Sequence, residues 1–526
     1  MSRDFQLPGR SPVIACEGMA ATSHPLATLA AVDVLRAGGT AADAAVAAVA
    51  VLCVVEPHMT GIGGDCFCLV SQPGRPVWGY NGSGRAGATA SGDALRAQGL
   101  TEIGATIHAV TVPGAIDAWG EILKTHGRFG LDRALVPAIK YAEGGFPVAS
   151  RVAWDWQRYI GKLKADPGAA KHYLFNGATP NEGDVIRLPA LATTLKTIAA
   201  KGARAFYEGE IAEDMAKTLG ARGSFLSLED FARHRGDVVM PISSNYRGLD
   251  IMEIPPNAQG LTALVMLNIL ENFDLKALDP LGPDRFHLVL EAARLGFAVR
   301  DTHLADADHM RVAVGDLLDK GFARMLAGKI DLKKRAALPH APTPGSNTVY
   351  LTVVDRDRMA VSFINTLYSH FGVGICTEKT GIMLTNRGAC FTLQPDHPNT
   401  FGPNKRPMHT IIPALAMRDG RCDMSFGVMG AHYQPMGHVQ ILLNMLDYGM
   451  DVQQAIDAPR FFFDGQQTVV ERGTPAGTIE GLKARGHDVV IAPTPWGGAQ
   501  TIKIDWDRGV LIAGSEPRKD GCALGY

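Results

Sequence analysis

One segment restricts this chain more than any other: AADAAVAAVAVLCVV, Ala41 to Val55, fifteen residues in which only Asp43 is not apolar. A membrane-crossing helix needs about twenty apolar residues, so the run is short for a bilayer. It starts well inside the chain, and the N-terminus, MSRDFQLPGRS, lacks the apolar stretch of a secretory signal. It reads instead as a buried helix. With 526 residues, 46% hydrophobic and 20% charged, the chain can bury a large core around it. The expected location is the cytoplasm.

The formal charge of -2 and a pI near 6.8 give no electrostatic case for nucleic acid or an anionic membrane surface as partner. The eight cysteines have no CxxC spacing, which argues against zinc and against a secreted disulfide framework. SHPLATLAAVDVLRAGG, ahead of the apolar run, reads as a helix closed by Gly38-Gly39, and FCLV after it as a short buried strand. Helical segments dominate from about Ile107 to Pro189. From there to Ala341, helices alternate with a strand-like run, LDIMEI.

After Thr348 the pattern changes to strands in close succession: VYLTVVD, MAVSFIN, GIMLTN, TIIPALAMRDG and RCDMSFGVMG. The helices HVQILLNMLDYG and VQQAIDA follow, then the strands DVVIA and QTIKIDWD. Two blocks of strands, each with its own helices, predict two sheets packed face to face with helices outside. The proline-spaced PHAPTPG before Thr348 predicts an exposed, cleavable loop.

The junction Asn347-Thr348 raises a chemical question. A threonine at a chain's N-terminus carries its own base, because its free α-amine, with a reference pKa of about 8, can take the hydroxyl proton near neutral pH. An internal threonine acquires that amine only if the preceding bond breaks, by attack of its hydroxyl on the Asn347 carbonyl and hydrolysis of the resulting ester. Taken alone, Thr348 is an ordinary strand threonine.

The order of motifs changes that reading. GMAATSHPLATLAAVDVLRAGGTAADAAVAA, TGIGGDCF, TVPGAIDAW, PISSNYRG and PPNAQG precede Thr348; VVDRDRMAVSFINTLYSHFGVGI, GIMLTNRG, FGPNKRP, GVMGAHYQPMGH and DAPRF follow it. From about Gly18 to the C-terminus, this series resembles the γ-glutamyltranspeptidase family. The resemblance implies an α+β, four-layer αββα Ntn-hydrolase sandwich built from both parts of a self-cleaved proenzyme. The large subunit would run from Met1 to Asn347 and the small one from Thr348 to Tyr526, as one αβ unit or a dimer of them. Thr348 matches the nucleophile, Thr366 the family's second threonine, and Gly430 and Ala431 the Gly-Gly pair whose N–H groups form the oxyanion hole. No cofactor is implied.

The departures fall where substrate is read. The Asn, Gln and Asp that hold the γ-glutamyl amine correspond to Tyr368, Arg387 and Cys390, and the paired serines to His409 and Thr410. The family's carboxylate-binding arginine falls nearest Ser83, two residues before Arg85. An ammonium beside a new guanidinium is unfavourable, whereas a carboxylate fits its fork. Arg85 and Arg387 are therefore the expected clamps, with structural ion pairs as the alternative, and His409 and His432 are expected polar contacts. A family branch hydrolyses oxamate, which is small, anionic and without an amine. Glutathione-type γ-glutamyl hydrolysis or transfer, an acylase for a longer dicarboxylic amide, and a non-catalytic binding protein stay open.

Two further features have plain readings. TGIGGDCF lacks the residues of a nucleotide-binding loop, and its glycines are expected to serve close packing near the site. The acidic run Asp301 to Met310 lacks the glycine and terminal glutamate of a calcium loop, so no metal is assigned and a helix end is expected.

Overall fold

The computed structural model describes Gln6, residues 9–337 and residues 348–526; Asn347 and most of the proline-spaced loop lie outside the described residues. Two antiparallel sheets of seven strands organise the described residues. The first runs Cys522–Gly525, Met19–Thr22, Val349–Val354, Ala360–Thr366, Asp65–Ser71, Trp78–Gly82, Asp237–Val239. The second runs Val13–Ala15, Val510–Ser515, Gly498–Asp505, Arg421–Met429, Ala414–Arg418, Leu249–Glu253, Ile242–Tyr246. Each sheet mixes strands from both sides of residues 338–347, so the two blocks of strands seen in the sequence are not the two sheets.

Strand alternation assigns the layers. In Val349–Val354, the side chains of Tyr350 and Thr352 point at the second sheet: the Thr352 hydroxyl donates to Ser425 Oγ at 2.7 Å, and a Cβ on Gly427 would meet the Tyr350 ring at 2.3 Å. The other face, with Val349, Leu351 and Val353, packs against the helix Ala41–Val55, in which all fifteen residues are buried. Each Val or Leu buried there contributes roughly 2 kcal/mol. On the far side, the helices Gly260–Leu270, Pro283–His303 and Gln434–Leu446 cover the second sheet and form its own apolar core.

Asp43, the lone acid of the apolar helix, is explained by its position at N3. Its carboxylate accepts from the Thr40 N–H at 2.8 Å, the Thr40 hydroxyl at 3.0 Å, and the Arg128 and Phe129 N–H groups at 2.9 and 3.0 Å. The Ala41 N–H donates to Asp355, which closes the strand Val349–Val354, at 2.9 Å. The acidic run also matches expectation as a helix end: the helix Pro283–His303 stops inside it, and Asp306 turns back to accept the Arg406 N–H.

GIMLTN is a correction. Gly381 to Asn386 forms no ladder strand but a single bridge from Met383 to Cys376. Beside that bridge Leu384 N–H donates to Ile375 O, but Thr385 N–H donates to Gly63 O and Ile382 N–H to Thr377 Oγ1. A Cβ on Gly63 would lie 2.2 Å from Met383 O, so the glycine loop occupies the side where a strand partner would sit.

Replacing Asp43 by Ala should leave three backbone N–H groups without their acceptor, the Thr40 hydroxyl keeping His126 O, and cost roughly 3 kcal/mol. Thermal denaturation should show a melting point several degrees lower for Asp43→Ala, with Asp43→Asn in between; an unchanged melting point for the Ala variant would contradict this account.

Candidate active site

The site begins at the end of a central strand. Val349 pairs with Asn365 and Tyr350 with Ile364, and one further step of this register sets Thr348 opposite Thr366. Their hydroxyls are 3.1 Å apart, on the face turned to the second sheet. Both residues are fully buried. Thr366 Oγ1 also accepts the Tyr368 N–H at 2.8 Å. The glycine loop presses on this strand end: a Cβ on Gly64 would sit 2.0 Å from Thr366 O, which is the close packing expected of TGIGGDCF.

Across the sandwich, Thr352 meets Ser425 and Tyr350 meets Gly427, on the strand Arg421–Met429 that runs into the Gly430-Ala431 turn. The turn is left-handed, with φ 131° at Gly430 and 50° at Ala431. Ala431 in this conformation is uncommon for a residue with a Cβ. It is held there by Gln259, whose side-chain amide donates to Ala431 O at 2.8 Å and to Thr410 O at 2.7 Å. Among the described residues, neither the Gly430 nor the Ala431 N–H donates to a turn, loop or side-chain acceptor. Two such N–H groups can stabilise a developing oxyanion that reaches them.

Arg387 is completely buried. Its guanidinium lies 4.2 Å over the Tyr368 ring, and Nη1 donates to Thr410 Oγ1 at 2.9 Å. Nε is 3.9 Å from Asp65 Oδ2, and among the described residues neither Nε nor Nη2 has a hydrogen-bond acceptor. Asp65 is otherwise engaged: Oδ1 accepts the Gly84 N–H at 3.0 Å, and Oδ2 lies 3.0 Å from His409 Nε2. His409 Nδ1 accepts the Ile411 N–H, so Nε2 carries the proton donated to Asp65. Burial, with the Arg387 charge, lowers the His409 pKa to about 3 and keeps the ring neutral.

His432 completes the cluster. Its Nδ1 accepts from Arg300 Nη1 at 3.1 Å, and its Nε2 is 3.4 Å from the Tyr368 hydroxyl. Burial, then Arg300 and Arg387, push its pKa well below the usual histidine value. Arg300 Nη1 also donates to Gln259 Oε1 at 2.7 Å. Contacts thus join Thr348, Thr366, Tyr368, Arg387, Thr410, His409 and His432 in one network, and Gln259 ties it to Ala431.

Arg85 stands apart. Its guanidinium is 3.3 Å from Asp306 and 3.6 Å from Asp237, donates to Asn404 O, and is one-third exposed. Two carboxylates already answer its charge, which is the ion-pair alternative read from the sequence. Sequence reasoning missed Asp65, Gln259 and Arg300. The first two lie in quoted motifs, TGIGGDCF and PPNAQG, but nothing local marks Arg300. For metals, His287, Glu291 and His487 bring ligand atoms within 4.8 Å of one another. They already satisfy one another and their neighbours: His287 Nδ1 pairs with His487, its Nε2–H donates to Asp331 O, and Glu291 accepts from Arg294 and Ala336. The charges of Arg294, Arg335 and Arg485 act on His487 and oppose a cation there.

Two facing antiparallel sheets between helical layers, with a threonine at a central strand end, define an α+β Ntn-hydrolase sandwich. The chain belongs to the γ-glutamyltranspeptidase family, whose model matches residues 27–526, and it is an amide hydrolase. It is 39% identical to the glutathione hydrolase-like YwrD proenzyme of Bacillus subtilis, covering 98% of this chain and 99% of that one. It is 35% identical to the oxamate amidohydrolase proenzyme of Klebsiella pneumoniae, with coverage of 98% and 99%. The structure of a cephalosporin acylase from Bacillus halodurans superposes with a TM-score of 0.93 at 38% identity, covering 100% of this chain and 99% of that one. Among the described residues, no helix is long and apolar enough to cross a membrane.

The neutral His409 sets a pH dependence. The unfolded chain takes up a proton near pH 6.5 that the folded site resists until about pH 3, so its contribution to stability is full above 6.5 and is lost as pH falls. The limiting slope is about 1.4 kcal/mol per pH unit. Denaturant unfolding at pH 7 and pH 5 should show a smaller loss for His409→Gln than for the parent protein; equal losses would refute the assignment.

Proposed function

We propose that the chain matures by cleavage between Asn347 and Thr348 and hydrolyses the amide bond of a small substrate bearing a carboxylate, with oxamate the favoured one. The observation that carries this reading is Arg387: a buried guanidinium with two N–H groups lacking protein acceptors, in the same cluster as the Thr348–Thr366 hydroxyl pair. A carboxylate answers such a fork bidentately. Asp65, the carboxylate that could have answered a substrate ammonium, is already engaged by His409 and Gly84, which weighs against an amino-acid ligand. The likeness to a named oxamate amidohydrolase supports the same choice.

In this reaction the Thr348 hydroxyl adds to the amide carbonyl carbon while its proton passes to the Thr348 α-amine. The Gly430 and Ala431 N–H groups hold the resulting oxyanion, and Thr366 orients the attacking hydroxyl. Collapse expels ammonia, which takes the proton from the Thr348 ammonium, and leaves an ester on Oγ1. Water, losing a proton to the same amine, adds to that ester; the second collapse returns the hydroxyl and releases oxalate. The cleaved parts, residues 1–347 and 348–526, stay together because each sheet contains strands of both. The likeness to a cephalosporin acylase supports a second reading, hydrolysis of a longer dicarboxylic amide.

Intact mass should show the purified protein split before Thr348 and Thr348→Ala whole. Ammonia release from oxamate should exceed nitroaniline release from γ-glutamyl and glutaryl nitroanilides. Arg387→Gln should lower kcat/KM for oxamate by roughly 30-fold or more while leaving cleavage intact. Activity on the glutaryl anilide alone would favour the acylase reading, and activity on the γ-glutamyl anilide alone would exclude both.

A further inference from the structure

The Arg387 cluster holds one more group with chemistry of its own, a thiol. Arg387–Cys390 is a single 3₁₀ turn, in which side chains three residues apart lie one above the other. The turn therefore sets a cysteine against a guanidinium: Arg387 Nη1 donates to Cys390 Sγ at 3.5 Å, beside its 2.9 Å bond to Thr410 Oγ1. The backbone of the turn is fixed on both sides. A Cβ on Gly388 would lie 2.8 Å from Ala109 O, and Asn399 Nδ2 donates to Cys390 O at 2.7 Å.

Five of the eight cysteines are buried, whereas Cys390 is half-buried. In the cluster around it, Thr348, Thr366, Arg387, His409 and Thr410 are fully buried and Tyr368 and His432 nearly so, which leaves the thiol as the group most open to solvent. The guanidinium beneath it still has capacity for an anion. Nη2 lacks a hydrogen-bond acceptor among the described residues. Asp65 is 3.9 Å away on the Nε side, too far for a hydrogen bond, and its oxygens are taken by His409 and Gly84. Nη1 and Nη2 share one carbon, so an anion on Nη2 sits close to Sγ. A small carboxylate held there brings the carbon next to it up to the sulfur, the arrangement that accelerates displacement at that carbon.

We propose that Cys390 is a covalent modification site for small carboxylate-bearing electrophiles steered by Arg387, and that its modification closes the hydrolase site. The inference rests on the reading of Arg387 as a carboxylate fork. With an α-haloacid, the sulfur bonds to the α-carbon, the carbon–halogen bond breaks, halide leaves with the bonding pair and the thiol proton passes to water. The carboxylate of the product stays tethered at Arg387, in the place of the substrate's own.

The probe is iodoacetate, compared with neutral iodoacetamide on the wild-type protein, each label being assigned by peptide mass mapping. The ratio of acid to amide rates at Cys390 should exceed that of free mercaptoethanol by at least about tenfold, and Arg387→Gln should return it to the level of the free thiol. If Arg387→Gln does not fold, the wild-type ratio decides alone. Carboxymethylation of Cys390 should abolish hydrolysis of whichever amide the protein turns over. A ratio no higher than that of the free thiol, no label at Cys390, a preference that survives in Arg387→Gln, or full activity after carboxymethylation would overturn the proposal. Labelling is read by mass and needs no turnover. A protein that labels as expected but leaves oxamate intact therefore loses the oxamate reading alone, and one that hydrolyses oxamate without the acid preference loses this proposal alone.

Discussion

The two sheets are keyed together by hydroxyls, and the site depends on that key. Tyr350 and Ser362 share a hydrogen bond of 2.9 Å, Ser362 accepts the Ala414 N–H at 2.9 Å, and Thr352 reaches Ser425 at 2.7 Å. The first of these lies within one sheet and holds Ser362 in place; the other two cross to the second sheet through an otherwise apolar layer, where an unmade hydrogen bond is expensive, so they fix how the sheets slide on each other. The Val349–Val354 strand and the Arg421–Met429 strand are thereby held in one relative register. Thr348 precedes the first of these strands and the Gly430 turn follows the second, so the hydroxyl contacts between the strands bear on how the two are placed.

The same dryness shapes the electrostatics. His409 and His432 are kept neutral by burial and by the arginines beside them, so the positive charge around Tyr368 resides on Arg387 and Arg300. Gln259 links those charges to the turn: it accepts from Arg300 and donates to the carbonyl of Ala431. That amide helps hold Ala431 at positive φ, a conformation in which glycine would need no such support.

Much of this was legible in the sequence. The helix Ala41–Val55 follows from its composition, and Thr348, Thr366 and the Gly430-Ala431 turn follow from the order of motifs. What escaped was long-range. GIMLTN has strand-like composition, but its partner would have to occupy space taken by Gly63, more than three hundred positions earlier. Arg85 and Arg387 are alike on paper; one meets Asp237 and Asp306 and the other meets a tyrosine ring, a difference made wholly by the fold. Arg300 sits at the end of a long helix whose residues give no local sign that it reaches His432.

The interleaving of strands has a kinetic consequence. While the chain is continuous, assembling the sheet in which Met19–Thr22 flanks Val349–Val354 is an intramolecular event whose rate is independent of protein concentration. With the bond before Thr348 cut, as proposed, the same pairing would join two polypeptides. Renaturation then becomes second order and slows on dilution. A cut protein that unfolds in dilute solution has lost the tether that made its assembly fast, so its working lifetime is governed by how slowly it opens.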